Sequence, residues 1–350
     1  LFRSWSCMDA FAESPEWGGS LVIFPFMYYE TYGDDSLIKK YYPNMRRYVD
    51  YLKTRADKGI LSFGLGDWYD YGDFRAGFSR NTPVPLVATA HYYMTVMYLV
   101  QAAKMVGNDF DIHYYTSLAQ DIMVAFNKCF LHKDTAQYGT GSQCSNALPL
   151  FLQMTQDADE QGSYRPDADL NEKVFANLIK DVEAHGNRLT TGDVGNRYLI
   201  QTLARNGEHE LIYKMFNHEE APGYGFQLKF GATTLTEQWD PRQGSSWNHF
   251  MMGQIDEWFF NSLVGIRPST TPKQGYQKFI IAPQPVGDLK YVKASYETLY
   301  GTINVDWTCE NGTFTLNVSV PVNTTAVVYL PGEKEPKEIQ SGTYQLVCAK

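Results

Sequence analysis

GIRPSTTPKQGYQ, residues 265 to 277, divides the chain into two kinds of sequence. Ahead of it, apolar residues recur with the 3.6-residue period of amphipathic helices. Behind it come short runs rich in β-branched residues, Phe279-Ile280-Ile281, Val292, Thr302 to Val305, Thr313 to Val320 and Ala326 to Leu330, separated by Gly, Pro and Asn-Gly turns. The switch predicts a helical domain over residues 1–268 and an all-β domain over 269–350. The second is expected to be an antiparallel sandwich.

SLIKKYYPNMRRYVDYLKTRAD, residues 36 to 57, shows the first pattern most plainly. Leu37, Tyr41, Met45, Tyr48, Val49 and Leu52 make one apolar face, with Pro43 interrupting the helix near its first turns. Further helices are expected near 84–106, 109–131, 144–155, 168–185, 193–206, 208–218 and 246–264. LFRSWSCMDAFA reads as a helix interior without an N-cap, so the sequence is expected to be a piece of a longer protein. About ten helices in short-linked pairs, with no strand-rich stretch among them, suit helical hairpins packed in a ring.

Composition narrows the function. The chain has 350 residues, 44% of them hydrophobic, and a formal charge of -9. No run of Lys and Arg goes beyond short pairs, which argues against nucleic acid or an anionic membrane as partner. An aromatic share of 15%, with 25 Tyr and 7 Trp, offers flat faces of the kind that take the C–H faces of sugars. Five widely spaced cysteines without a CxxC pair, and seven scattered histidines without HExxH, give no metal site and no cofactor motif. Cys309 and Cys348 are positioned in sequence to pair if the protein is exported.

GATTLTEQWDPRQGSSWNHF, residues 231 to 250, isolates one carboxylate, Glu237, among small and hydroxylated residues, with Trp239, Trp247 and His249 close by. A solvated loop charge is the plain alternative. Small residues with two indoles and an imidazole in a short span favour a place shaped to receive a ligand.

The ordered series GATTLTEQWD (231–240), SSWNHFMMGQIDEWFFNSLVGI (245–266) and FIIAPQP (279–285) resembles the C-terminal half of the bacterial α-L-rhamnosidase family, glycoside hydrolase family 78. The resemblance extends upstream through LTTGDVGNRYLIQTLARNG (189–207), GLGDWYDYG (64–72) and SPEWGGSLVIFPFMYYETYGD (14–34), and more weakly into VPVNTTAVVYLP (320–331). It implies an (α/α)6 helical barrel, incomplete at its N-terminus, followed by a β-sandwich. It also implies removal of terminal α-L-rhamnose by two carboxyl groups with inversion, no cofactor, and a bacterial source with a periplasmic or secreted location preferred to the cytoplasm.

By the same resemblance Glu237 matches the general base that activates water, and His249 a sugar-contacting histidine. Inversion needs room for that water, with the two carboxyl groups roughly 6.5–9.5 Å apart. Asp67 matches a sugar-binding aspartate with Trp68 as a wall, against a helix-flanking turn acid. Trp17 aligns with a tryptophan of the sugar site, against ordinary core packing, and Asn146, with Gln143 and Ser145, is placed to donate to hydroxyls. Trp239 is counted with the substrate-binding residues, or with Asp240 it fixes the loop of Glu237; Asp193 reads as an N-cap. The family's general acid sits in an Arg-Asp-Glu stretch that has no counterpart in this sequence. Thr236 stands where many relatives carry Trp, and Gly19 where an acidic residue is common. Another inverting glycosidase or a sugar lyase on a similar barrel, and a non-catalytic carbohydrate-binding fragment, are the alternatives.

Overall fold

The computed structural model describes residues 13–158, 164–269 and 272–349; the helix expected over Phe2 to Ala12 lies outside them. Helix α1 (Pro15–Gly18) is a single turn, followed by α2 (Ser20–Tyr32) and α3 (Ser36–Arg55). In α3 the buried positions are Ile38, Tyr42, Met45, Val49 and Leu52, and Tyr41 is exposed. The apolar face is thus rotated by one residue at its start from the expected stripe. Adjacent apolar pairs at 37–38 and 41–42 fit the period either way, and tertiary bonding decides: the Tyr42 hydroxyl donates to Asp111 Oδ2 at 2.5 Å. Pro43 does not interrupt α3, because burial of the face outweighs one lost backbone bond.

Helix α4 (Val84–Val106) is apolar on nearly every face and buried along most of its length, as such a sequence requires. Helix α5 (Asp109–Phe130) packs along it after a turn at Gly107 (φ 75°) and Asn108, whose side chain accepts the Asp111 N–H. The chain continues through a hairpin of β1 (Leu131–His132) and β2 (Gln137–Tyr138), α6 (Gln143–Phe151), a second hairpin of β3 (Gln156–Ala158) and β4 (Tyr164–Pro166), then α7 (Ala168–Ala184), α8 (Gly195–Arg205), α9 (His209–Phe216) and α10 (Tyr224–Lys229). Both hairpins are antiparallel. The helix expected over 246–264 is instead a 3-10 turn (Phe250–Gln254), the short α11 (Ile255–Trp258) and a π turn (Phe259–Val264), ended by left-handed Gly265 (φ 89°). Residues 246–249 leave the helix because their backbone groups bond a facing loop.

Two four-stranded sheets follow. One has the order β11 (Lys337–Ile339), β10 (Thr325–Val328), β6 (Lys278–Ile281), β5 (Ile266–Pro268); the other runs β12 (Gly342–Ala349), β9 (Thr313–Val320), β8 (Gly301–Glu310), β7 (Tyr291–Thr298). Phe279, Ile281 and Val328 from the first share one core with Val305, Trp307, Phe314 and Leu316 from the second, which makes the pair a sandwich. The pairing is not wholly antiparallel: β10 lies parallel to β6. The chain leaves the first sheet after β6, builds β7 to β9 in the other, and returns beside β6 in the same direction. Cys309 and Cys348 are both opposite Phe314, on either side of β9, and both are free thiols. Two strand spacings put their Cα atoms about 9–10 Å apart, beyond disulfide reach.

The chain forms two compact units, one of Leu1–Phe24 and Lys39–Leu199, the other of Pro25–Ile38 and Ile200–Lys350. Among the described residues no helix is long and apolar enough to cross a membrane.

Candidate active site

In the first unit the GLGDWYDYG loop is the organising element. Asp67 is wholly buried, and its carboxylate accepts the Gly195 N–H at 2.6 Å and the Gly192 N–H at 3.0 Å. Gly195 opens α8, so Asp67 satisfies an orphan donor at that helix's N-terminus and meets the positive end of its dipole. A Cβ on Gly195 would stand 2.6 Å from Asp67 Oδ2, and one on Gly192 would stand 2.1 Å from the Trp68 carbonyl, so only glycine permits this approach. Burial pushes Asp67 up to about 7 against the pull of the two N–H groups. Asp67, expected to bind sugar, is placed here at the start of α8 with its carboxylate on two backbone N–H groups.

Neighbouring groups serve the same bracing. Asp70 is buried and accepts the Arg80 and Asn81 N–H groups at 2.7 and 2.6 Å, closing the loop between them. Asn146 is also buried; its Oδ1 accepts the Tyr138 N–H at 2.9 Å and its Nδ2 donates to Gly141 O at 3.1 Å. Gln143 donates to Arg188 O and accepts the Thr190 N–H. Both amides hold turns together, and Asn146, expected to donate to hydroxyls, has its oxygen and its nitrogen each on a backbone group.

What the loop exposes is aromatic. Trp68 is part-exposed and edge-on to both Tyr69 (5.0 Å) and Phe78 (5.1 Å). Tyr69 holds φ 59°, a left-handed conformation costly for a bulky side chain, fixed by its N–H bond to Gly77 O. Trp17 is part-exposed on α1. The preceding residue, Glu16, reaches the same loop: its carboxylate accepts from the Ser14 hydroxyl and, at 3.1 Å, from the Gly66 N–H. Burial pushes Glu16 up to about 7. Sequence reading passed over Glu16 in favour of its indole neighbour; a carboxylate two residues after a serine at a helix start was the available signal.

In the second unit, residues 234–237 run beside 246–249. The Glu237 N–H donates to Ser246 O at 2.9 Å, the Ser246 N–H returns a bond to Glu237 Oε2 at 3.0 Å, and the His249 N–H donates to Leu235 O at 3.0 Å. Glu237 is half-buried, and among the described residues no group bonds its Oε1. The turn between the two segments is stiffened by Asp240, which accepts two bonds from the Arg242 guanidinium at 2.8 Å each and is held below the usual carboxylate range by it.

Trp239 is 1% exposed, edge-on to Tyr224, so it anchors the loop from within and offers no face to a ligand. Trp247 is 43% exposed, its Nε1 donating to Pro241 O at 3.1 Å. His249 is part-exposed and stacks on Phe250. Beneath Thr233, Thr234 and Leu235 lies a hollow of about 530 Å³ walled by Phe216, Tyr224 and Trp258. Among the described residues no group of three or more His, Cys, Asp or Glu side chains is arranged to hold a metal ion.

Comparison with known proteins agrees in both halves of the sequence. Residues 4–263 match the family model of the bacterial alpha-L-rhamnosidase 6 hairpin glycosidase domain, and residues 265–345 that of the bacterial alpha-L-rhamnosidase C-terminal domain. An alpha-L-rhamnosidase of Streptomyces avermitilis is 28% identical over 335 residues, 93% of this chain and 30% of its own length. One from Formosa agariphila is 29% identical over 340 residues, 94% of this chain and 35% of its own. The solved alpha-L-rhamnosidase from Dictyoglumus thermophilum superposes with a TM-score of 0.84 at 30% identity, covering 97% of this chain and 40% of that one. The Streptomyces avermitilis enzyme complexed with L-rhamnose gives 0.82 at 25% identity, covering 95% and 33%. The chain spans about a third of the length of these curated relatives. With its helical and β parts each matched in order, the chain belongs to the bacterial α-L-rhamnosidase family, carrying its six-hairpin glycosidase domain and its C-terminal domain.

Proposed function

We propose that this chain supplies the base and the sugar-facing aromatics for hydrolysis of terminal α-L-rhamnosides with inversion. The observation that carries the reading is the setting of Glu237. One carboxylate oxygen is tied to the Ser246 N–H across a braced turn, while Oε1 is left for a water. A base must be held in one orientation and must meet the water it deprotonates, and this arrangement answers both needs. The water attacks the anomeric carbon as its proton passes to Oε1, and the glycosidic oxygen leaves from the opposite face. His249, part-exposed beside the same segment, is placed to donate to a sugar hydroxyl, and Trp247 offers a flat face to the ring.

The proton donor for the departing oxygen lies outside residues 1–350 in this reading. Asp67 is buried with its carboxylate held by two backbone N–H groups, and the Glu16 carboxylate is enclosed by Ser14 and Gly66. α-L-Rhamnosyl fluoride, whose leaving group needs no protonation, tests the proposal on the chain itself. Turnover with β-L-rhamnose as first product by NMR is expected, and Glu237→Gln should abolish it. A first product of retained configuration, or undiminished turnover by the variant, would overturn it.

A further inference from the structure

The first unit carries a groove of about 540 Å³ between α3 and α5, lined by Arg46, Asp50, Lys53, Thr54, Phe110 and Tyr114 with Tyr115, none of them a residue of the GLGDWYDYG loop. Its floor is aromatic. Phe110 is 74% exposed and stacks on Tyr114, ring centroids 6.1 Å apart and planes 9° from parallel. An i, i+4 pair of rings on a helix is worth a few tenths of a kcal/mol to that helix, which does not explain so much uncovered apolar area beside a groove.

The α3 wall is cationic, while α5 carries Asp109, Asp111 and Asp121 and pairs Asp111 with Arg46 Nε at 2.9 Å. Helix α3 holds six basic residues, Lys39, Lys40, Arg46, Arg47, Lys53 and Arg55, against one acid, Asp50, in a chain whose formal charge is -9. Asp50 is engaged by the Tyr115 hydroxyl at 2.8 Å. Lys53 Nζ lies 4.8 Å from the centre of the Tyr114 ring and donates to its hydroxyl at 2.6 Å, so the charge is held at the edge of the platform. Arg46 and Lys53 follow α3 at i and i+7 and face the same side, and Thr54 adds a hydroxyl at the rim.

We propose that this groove binds an acidic polysaccharide chain. The two rings take the C–H faces of successive sugars, Lys53 pairs with their anionic groups, and Thr54 and Asp50 meet hydroxyls. A local excess of positive charge on a protein of net negative charge selects a polyanion at this face and repels it elsewhere. Binding here is independent of turnover, so a catalytically silent chain that binds leaves the proposal intact.

The test is affinity electrophoresis of the 350-residue chain in gels containing polygalacturonate, dextran sulfate or neutral dextran. Retardation by the acidic polymers and not by dextran is expected, weakening as salt rises. The first two gels separate a carboxylate from a sulfate preference. Lys53→Glu, and separately Phe110→Ala combined with Tyr114→Ala, should each weaken binding at least tenfold; all three side chains are at the surface, and circular dichroism checks the fold. Lys180→Glu, an equal charge change on α7, should alter it less than twofold. No retardation, equal retardation by dextran, equal loss with Lys180→Glu, or tighter capture by anionic lipid vesicles than by the polymers would each overturn the assignment.

Discussion

Glu237 and Ser246 hold each other twice, through Glu237 N–H to Ser246 O at 2.9 Å and Ser246 N–H to Glu237 Oε2 at 3.0 Å. A backbone pair and a side-chain bond therefore share one partner, and the carboxylate cannot turn without breaking the second. Glu237→Gln keeps the size and an acceptor but removes the basic oxygen. In the full-length protein, kcat on an aryl α-L-rhamnoside should fall by roughly 100-fold or more, with a smaller change in KM. A fall below threefold in steady-state assays would remove Glu237 from the role of base.

Ser246→Pro deletes the donor to Oε2 and leaves the carboxylate chemically intact. Activity should drop less than in Glu237→Gln, on the order of tenfold, because orientation is lost and basicity is not. The same variant keeps the carbonyl that accepts the Glu237 N–H, so circular dichroism should show an unchanged fold.

Trp239 and Trp247 should separate cleanly. Trp239→Ala empties a buried site and should cost about 3–5 kcal/mol by urea denaturation. Trp247→Ala, at 43% exposure, should cost less than about 1 kcal/mol and instead raise KM. A stability loss of equal size in both would contradict the assignment of one to the loop's interior and the other to the ligand face.

Asp67 fixes a pH dependence. Its folded-state value of about 7 lies above the ordinary 3.8, so its contribution to stability is fully present below about pH 4 and is lost as pH rises through 7. Glu16, raised to about 7, acts in the same direction. Asp67→Asn should be less stable overall, by about 1–3 kcal/mol, since its NH2 faces a backbone donor. Its stability should also change less between pH 5 and pH 8 than that of the unaltered chain. A pH slope identical in both proteins would contradict a buried, raised Asp67.

The helix-to-strand switch at 265–277 was legible because periodicity is a local property, and α4, α5 and α7 stand within a residue or two of their expected ends. Residues 246–249 were not, because their backbone partners lie in residues 235–237 and no window centred on either segment contains the pairing energy. The same limit governs the site. GDW gives one motif for two roles, and what makes Asp67 a helix-docking acid is a pair of N–H groups more than 120 residues away. Asn146 shows a different limit: a buried amide and a ligand-facing amide look alike at a loop-to-helix junction, and its bonds to Tyr138 and Gly141 are not visible in the sequence. Glu237 and His249 were singled out for their company, and both keep some exposure.

The parallel seam between β6 and β10 sets a schedule for the newborn chain. Lys278–Ile281 leave the ribosome with one neighbour, β5, and their other edge stays open until Thr325–Val328 emerge more than forty residues later. Meanwhile β7, β8 and β9, each paired to the next along the chain, assemble in the order of synthesis. Until then one backbone edge of β6 has no strand partner, even as β8 and β9 supply the core facing Phe279 and Ile281. A ribosome that stalls before residue 325 would present that edge to other nascent chains, so it is there that a holdase chaperone has most to shield.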